Sequence, residues 1–386
     1  MLLRIISSIT LVIIFFSCNP QKNSEQEKQT YFKIAVLGLF KPQIAEIVFP
    51  ENIVIRTENN EKISVKSNKK ISVELVNSNL VLKVNNIKLT SNKFYFFTEN
   101  FNPYYNKFSI NLPDKLQRNY FGDLMLSSSK DEIIFIITQN TEDLVLGILS
   151  SESDDCELEY LKALSVIIRT FINYNIGRHK TEGYDFCDNT HCMVYYGLDK
   201  VNKNYEKAVF STKGEMLTYN NQLIDVFFTG SCGGKTYTPK QIWSNYSGIY
   251  PYSNIRCDYC KNSNYSNWLW KTNYKELSKI FDFENQIKEI NQLEKGVNYI
   301  ELKSNNKFLR LSNDEFRLYI GRKIGWNKIL SNNFDIKIIG DTITISGKGF
   351  GHCIGFCQEG AEKMSSLGKT YKEILSYYYP KAIVAK

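Results

Sequence analysis

Hydrophobic residues between Tyr31 and about Thr138 come in short runs, among them Phe32 to Leu37, Lys62 to Val65, Leu80 to Val84 and Glu132 to Ile137, set apart by clusters of Asn, Ser and Lys. Short β-branched and aromatic runs bounded by turn formers mark strands, so residues 31–138 are expected to form an all-β region. The pattern then changes. Leu144 to Leu149 is an unbroken apolar run and reads as a buried strand. From Cys156 to Ile176, the residues Leu158, Leu161, Leu164, Val166, Ile168, Phe171 and Ile172 recur at mostly helical spacing without Gly or Pro, which predicts a long helix. Turn residues dominate from Gly177 to Lys261, with strands expected at Ala208–Phe210 and Leu223–Phe228. A helix is expected over Tyr274–Ile290, strands over Lys307–Leu311 and Asp335–Ile345, and a last helix over Tyr371–Tyr378, stopped by Pro380. The mixture implies an α+β protein in which a β-rich region, 31–138, packs on a mixed α/β domain, 139–386.

The first residues carry a different signal. Arg4 precedes an apolar run from Ile5 to Phe16 and then Ser17-Cys18, which reads as a secretory signal peptide over 1–18, too short to span a membrane. Phe15-Phe16-Ser17-Cys18-Asn19 resembles a bacterial lipobox, in which the cysteine is acylated and becomes the mature N-terminus. Lipidation of Cys18 would anchor an exported lipoprotein to a membrane, with the polar stretch 19–30 as a solvated tether. The alternative is an ordinary cleaved signal with a chance cysteine. Export also frames Cys156, Cys187, Cys192, Cys232, Cys257, Cys260, Cys353 and Cys357, an even set in a compartment that permits disulfides.

Composition narrows the class. With 386 residues, 43% hydrophobic and 23% charged, the chain has the length for two domains and excludes whole-chain disorder, collagen and multi-span membrane architectures. Its net charge of +8 is spread along the chain rather than gathered in a block, so no nucleic-acid partner is expected. An aromatic share of 14% suits the flat apolar faces of sugars as well as it suits cores.

Four segments could carry chemistry. The chain has only 3 histidines, His179, His191 and His352, and the last two fall inside dense motifs. In Gly183 to Cys192, the residues Cys187, His191 and Cys192 offer thiolate and imidazole, the ligands zinc prefers, with Cys232, a carboxylate or water as the fourth. A Cys187–Cys192 disulfide, or a bridge to Cys232, is the other reading. Gly347 to Ala361 crowds glycines around His352, which implies a backbone that approaches a partner closely or turns with positive φ, followed by a helix from near Phe356. Thr229 to Thr236 is a second small-residue loop, in which Cys232 could be a nucleophile with His191 or His352 as base. Finally, Glu152 follows the apolar run and precedes the long helix. At such a junction partial burial lifts a carboxyl toward the pKa a general acid needs, although Asp154, Asp155, Glu157 and Glu159 beside it fit a helix N-terminus equally well.

Taken in order, these blocks resemble the stage II sporulation protein D (SpoIID/LytB) family of bacterial peptidoglycan-acting proteins. Leu146 to Glu152, running into Tyr160 to Ala163 and Arg169-Thr170-Phe171, is similar to the family's G-V-V-P-x-E-M and A-L-K-A-Q-A-x-A-A-R-T-Y. Tyr184 to Cys192, Ala208-Val209 with Thr212-Lys213-Gly214, and Ser231 to Thr236 resemble its middle segments. Gly347 to Ala361 with Tyr371 to Leu375 and Tyr378-Tyr379-Pro380 resembles G-x-G-x-G-H-G-V-G-M-S-Q-x-G-A and Y-x-E-I-L-x-x-Y-Y-P. The resemblance covers Tyr120 to Pro380 and implies a catalytic domain of the SpoIID type. It also implies lytic transglycosylase activity, cleavage of the MurNAc–GlcNAc β-1,4 bond that leaves a 1,6-anhydro sugar. Its catalytic acid falls on Glu152, and its zinc ligands fall on Cys187, His191 and Cys192. His352, Gly351, Gln358, Arg169, Ser231 and Trp243 are the expected substrate-binding residues, with Tyr246 and Trp268 as further stacking surfaces. The expected partners are glycan strands. A rival role attached to relatives, non-catalytic stimulation of a cell-wall amidase, makes that amidase a partner instead. The family's Pro, Met and Gln positions are changed here, and Cys353, Cys357 and the pair Cys257-x-x-Cys260 are departures that could staple the glycine-rich site.

Overall fold

The computed structural model describes residues 31–98, 106–154, 156–295 and 297–386. The expected signal peptide, tether and Cys18 lie outside the described residues, as does Asp155.

The β-rich region consists of β1 (Tyr31–Val36), β2 (Ile44–Val48), β3 (Ile53–Thr57), β4 (Lys62–Val65), β5 (Lys70–Val76), β6 (Asn79–Val84), β7 (Ile87–Ser91), β8 (Lys93–Thr98), β9 (Lys107–Leu112), β10 (Leu116–Phe121), β11 (Asp123–Ser128) and β12 (Ile133–Asn140). With β13 (Phe186–Cys187), they form one sheet in the order β13-β1-β12-β11-β8-β3-β4 and another in the order β10-β9-β2-β5-β6-β7. Period-2 alternation buries Ile53 and Ile55 on β3 and Phe94 and Phe96 on β8, as half-covered strands require. Phe49, which follows β2, joins the two sheets by packing on Phe96 at 5.6 Å and Phe108 at 5.2 Å between ring centroids. The Asn-rich gaps are tight turns, with Asn60, Asn77, Asn85 and Asp114 at positive φ, where Asn and Asp are the best tolerated side chains after Gly.

The helices among the described residues are α1 (Thr141–Glu152), α2 (Leu158–Tyr174), α3 (Lys203–Ser211), α4 (Pro239–Ile242), α5 (Tyr274–Ile280), α6 (Asn313–Ile324), α7 (Gln358–Ser366) and α8 (Tyr371–Tyr378). Helix α2 is central and packs on α1, α3, α7 and α8. Four expectations need correction, the first being the strand over Leu223–Phe228, of which only the end residues lie in two short separate strands, Gln222–Leu223 and Phe228–Thr229. Leu144–Leu149 is helical, because α1 is buried on most sides and its apolar run therefore shows no amphipathic period. What marks its start is a cap: Asn140 Oδ1 accepts from the Asp143 N–H at 3.0 Å, with Glu142 and Asp143 in the first turn. Ala208–Phe210 lies in α3, capped by Asn202, and the helix expected over Tyr274–Ile290 ends at Ile280, with a strand from Glu289.

One hydrophobic core runs without a break from Phe32 on β1 to Tyr379 after α8, so the β-rich region and the helices share an interior. A second core, Trp268 to Ile345, belongs to strands and helices α5 and α6 inserted before the glycine-rich histidine loop. The strands Trp268–Asn273 and Thr342–Gly347 pair antiparallel with Trp268 opposite Gly347, so the inserted unit starts and ends side by side. The two glycine-rich segments are also joined, by the parallel pairing of Phe228–Thr229 with Phe356–Cys357.

Candidate functional site

Glu152 is the last residue of α1, and its side chain is half-buried. Its Oε1 accepts a 2.6 Å bond from the backbone N–H of Val194. The close approach of that segment depends on Gly147, one helical turn and a residue earlier, where a Cβ would stand 2.4 Å from the Tyr195 ring. Ser151 Oγ accepts from the Tyr196 N–H at 2.9 Å and completes the seam. Burial outweighs the single hydrogen bond and pushes the Glu152 carboxyl up to about 7.

Gln358, at the start of α7, donates from Nε2 to the Glu152 carbonyl oxygen at 3.2 Å, which brings the glycine-rich histidine segment to the same place. That segment interlocks with the loop after Thr229: Ser231 and Phe350 exchange backbone hydrogen bonds at 3.1 and 2.8 Å. Gly349, at φ +91°, lies where a Cβ would meet the Ser231 carbonyl at 2.6 Å, so both readings of the glycines hold at this residue, the positive φ and the close approach. His352 sits against Phe227 at 6.0 Å and Trp243 at 5.7 Å, and its Nδ1 accepts from the Ile354 N–H at 3.0 Å. Burial pushes its imidazole down to about 4, so it is neutral at pH 7. Trp243 is pinned by an indole N–H bond of 3.0 Å to Asp314 of the inserted unit. A groove of about 760 Å³ opens beside the interlocked loops, lined in part by Gly234, Lys235, Tyr237, Trp268, Asn333 and Lys348. Glu152 and His352 are not among its lining residues.

Two expected substrate ligands are placed elsewhere. Arg169 is 1% exposed on α2 and makes a two-pronged ion pair with Glu142, Nη2–Oε2 2.6 Å and Nε–Oε1 3.1 Å, with further bonds to the carbonyls of Glu215 and Val209. It ties α1, α2 and α3 together and cannot reach a ligand, because its helical position faces the core. Ser231 is fully buried in the loop interlock. Gly351 spends its N–H and carbonyl on Leu330 and Asn332.

The thiol and imidazole ligands do converge. The ligand atoms of His179, Cys187, His191 and Cys192 lie within 4.8 Å of one another. Cys187 is held by β13, which pairs with β1 so that Cys187 faces Ala35. The Cys192 N–H and His191 N–H are tied to Asn189, at 2.9 Å each. His179 Nε2 stands 3.4 Å from Cys192 Sγ, while its Nδ1 meets Glu182 at 2.8 Å, the arrangement that orients a metal-binding imidazole. The hydrogen bond from Cys192 draws the Cys187 thiol down to about 3. The fourth member is thus His179, which the spacing of the motif did not reveal; its scarcity as one of 3 histidines was the only sequence signal. Cys232 lies in a separate group with Cys257, Cys260 and Cys357, which corrects its place as fourth ligand, and its thiol is fully buried against Cys260 at 3.5 Å, where no substrate reaches it as a nucleophile. Cys353 stands outside both groups, with its thiol against the carbonyls of Ser231 and Gly351.

The fold and site define an α+β protein with one half-buried carboxyl held between a thiol–imidazole cluster and a glycine-rich loop. A family model described as stage II sporulation protein matches residues 129–219, the stretch that holds Glu152 and the cluster. The chain is 30% identical to an uncharacterized protein of Brachyspira hyodysenteriae over 80% of each chain. It is also 30% identical to the stage II sporulation protein D of Bacillus subtilis over 62% of this chain and 72% of that one. The amidase enhancer of Bacillus subtilis is 27% identical over 58% of this chain and 37% of its own. The chain belongs to the SpoIID/LytB family.

Proposed function

We propose that the protein is a peptidoglycan lytic transglycosylase with Glu152 as the single general acid and base. The observation that carries this reading is the placement of that carboxyl, half-buried, oriented by the Val194 N–H at 2.6 Å and flanked by Gln358, a setting in which burial pushes it up to about 7. At neutral pH a large fraction is protonated and can be given to the glycosidic oxygen as the C1–O bond breaks. The C6 hydroxyl of the same sugar then attacks C1, and its proton passes to the Glu152 carboxylate, which restores the acid. No water is consumed and no second carboxylate is needed, unlike the spaced pair of an ordinary glycosidase. Export and lipidation at Cys18 would place this chemistry beside its polymer.

The donor set of His179, Cys187, His191 and Cys192 fits zinc, with two sulfur and two nitrogen ligands able to surround one ion. A bound ion would supply a charged cross-link, since four protein ligands leave no open coordination position. These residues themselves hold the turn that leads to Val194, and so the donor to Glu152.

A second reading, a glycan-binding stimulator of a cell-wall amidase, is favoured by the groove that Glu152 does not line and by the relative named amidase enhancer. Purified sacculi digested with the wild type and with Glu152→Gln, followed by mass spectrometry, separate the two. Anhydro-sugar products from the wild type alone are expected. Absence of such products from the wild type, with amidase stimulation equal in both proteins, would replace the first reading by the second.

A further inference from the structure

We propose that Cys232, Cys257, Cys260 and Cys357 form a second metal site, a closed all-thiolate tetrahedron that takes a single zinc ion and clamps the glycine-rich loops together. The four Sγ atoms lie within 4.8 Å of one another, and the Cys232–Cys260 separation is 3.5 Å. A tetrahedron of sulfurs around zinc, at ~2.3 Å from the metal, has edges of about 3.8 Å. Two disulfides would instead divide the sulfurs into two couples, each at about 2.05 Å. The thiols come from three segments: Cys232 from the loop after Thr229, Cys257 and Cys260 from one short turn with the two-residue spacing of zinc knuckles, and Cys357 from the cap of α7.

The surroundings suit thiolates. The Cys232 and Gly360 N–H groups point at Cys357 Sγ at 3.3 and 3.4 Å, and the Tyr378 hydroxyl lies 3.3 Å from Cys257 Sγ, contacts that spread the charge of metal-bound sulfur. Gly360 leaves the room: a Cβ there would stand 2.8 Å from Cys257 Sγ. No thiol of the four is more than 2% exposed, so the site admits no water ligand and is structural. The group shares no residue with the His179 cluster, and the proposal does not depend on the glycan chemistry of Glu152.

The test is metal analysis of the full chain purified under reducing conditions with zinc present. Two zinc equivalents per chain are expected, one for each group of ligands. Cys257→Ser with Cys260→Ser should lose one, His191→Ala should lose the other, and X-ray absorption of the zinc left in His191→Ala should show an all-sulfur shell. Should the double serine variant fail to fold, cobalt loading of His191→Ala reports the same site through sulfur-to-cobalt charge-transfer bands. No zinc retained by His191→Ala, a mixed sulfur and nitrogen shell in that variant, or a native mass four hydrogens light of the reduced chain with no metal gained, overturns the proposal.

Discussion

The backbone N–H of Val194 reaches Oε1 of Glu152 at 2.6 Å, and Val194 lies two residues beyond Cys192 of the thiol–imidazole cluster. The cluster is therefore coupled to the candidate acid through a short piece of backbone. On the other side, Gln358 holds the Glu152 carbonyl and directly follows Cys357. The acid is placed by two segments, each starting at a cysteine.

Because Glu152 must be protonated to act as the acid, glycan cleavage should fall as pH rises through about 7. A pH–rate profile on sacculi checks this midpoint. Glu152→Gln keeps the acceptor for Val194 but has no proton to exchange, and should lose about 10²–10⁴-fold in rate below pH 7, with no pH-dependent fall of its own.

The same variant has a stability signature. A carboxyl whose pKa is raised on folding stays protonated in the native state while the unfolded chain has already ionised, so the native state loses stability as pH rises from the ordinary carboxyl value to about 7. Glu152→Gln lacks that loss. Its melting temperature relative to the wild type should climb across this window and level off above it; a flat difference would show that burial does not raise the group.

Gly147→Ala places a methyl 2.4 Å from a ring carbon of Tyr195. Alanine normally favours a helix interior by about 0.5–1 kcal/mol over glycine, but overpacking costs about 1–3 kcal/mol and wins here. Chemical denaturation should show net destabilisation. Displacement of Val194 removes the one bond that lowers the Glu152 pKa, so the pH–rate midpoint should move upward.

Arg169→Ala tests the buried pair. Removing one partner of a buried, hydrogen-bonded ion pair costs about 3–5 kcal/mol, and Glu142 would be left without its guanidinium. Denaturation should show that loss, while KM for glycan, measured below the melting transition, stays unchanged.

For the His179 cluster, Glu182→Gln should weaken zinc binding about 10–100-fold by loosening the imidazole it orients, and Cys232→Ser should leave the affinity of that cluster unchanged. Competition with a chromophoric chelator measures both.

The β-rich region was readable because most of its strands alternate and most of its gaps carry Asn or Asp suited to a tight turn; Lys62–Val65 and Tyr371–Tyr378 match their elements residue for residue. Helix α1 was not, since burial on most sides erases the periodicity that marks a helix, and only the Asn140 cap gave it away. The convergence of Cys187, His191 and Cys192 followed from proximity in sequence. His179 and the grouping of Cys232, Cys357 and the Cys257–Cys260 pair did not, because they depend on loops brought together by the tertiary fold. Arg169 shows the opposite failure: a motif position cannot distinguish a guanidinium aimed at a ligand from one sealed against a glutamate.

The inserted unit has its own interior, and its first and last strands meet with Trp268 across from Gly347. The chain thus enters and leaves it through one doorway. A module attached in this way can be lengthened, trimmed or exchanged without unzipping the main body. Since Asp314 reaches out of it to Trp243, and Leu330 and Asn332 bond Gly351, such an exchange would act on the loop around His352 and leave the Val194 bond to Glu152 alone.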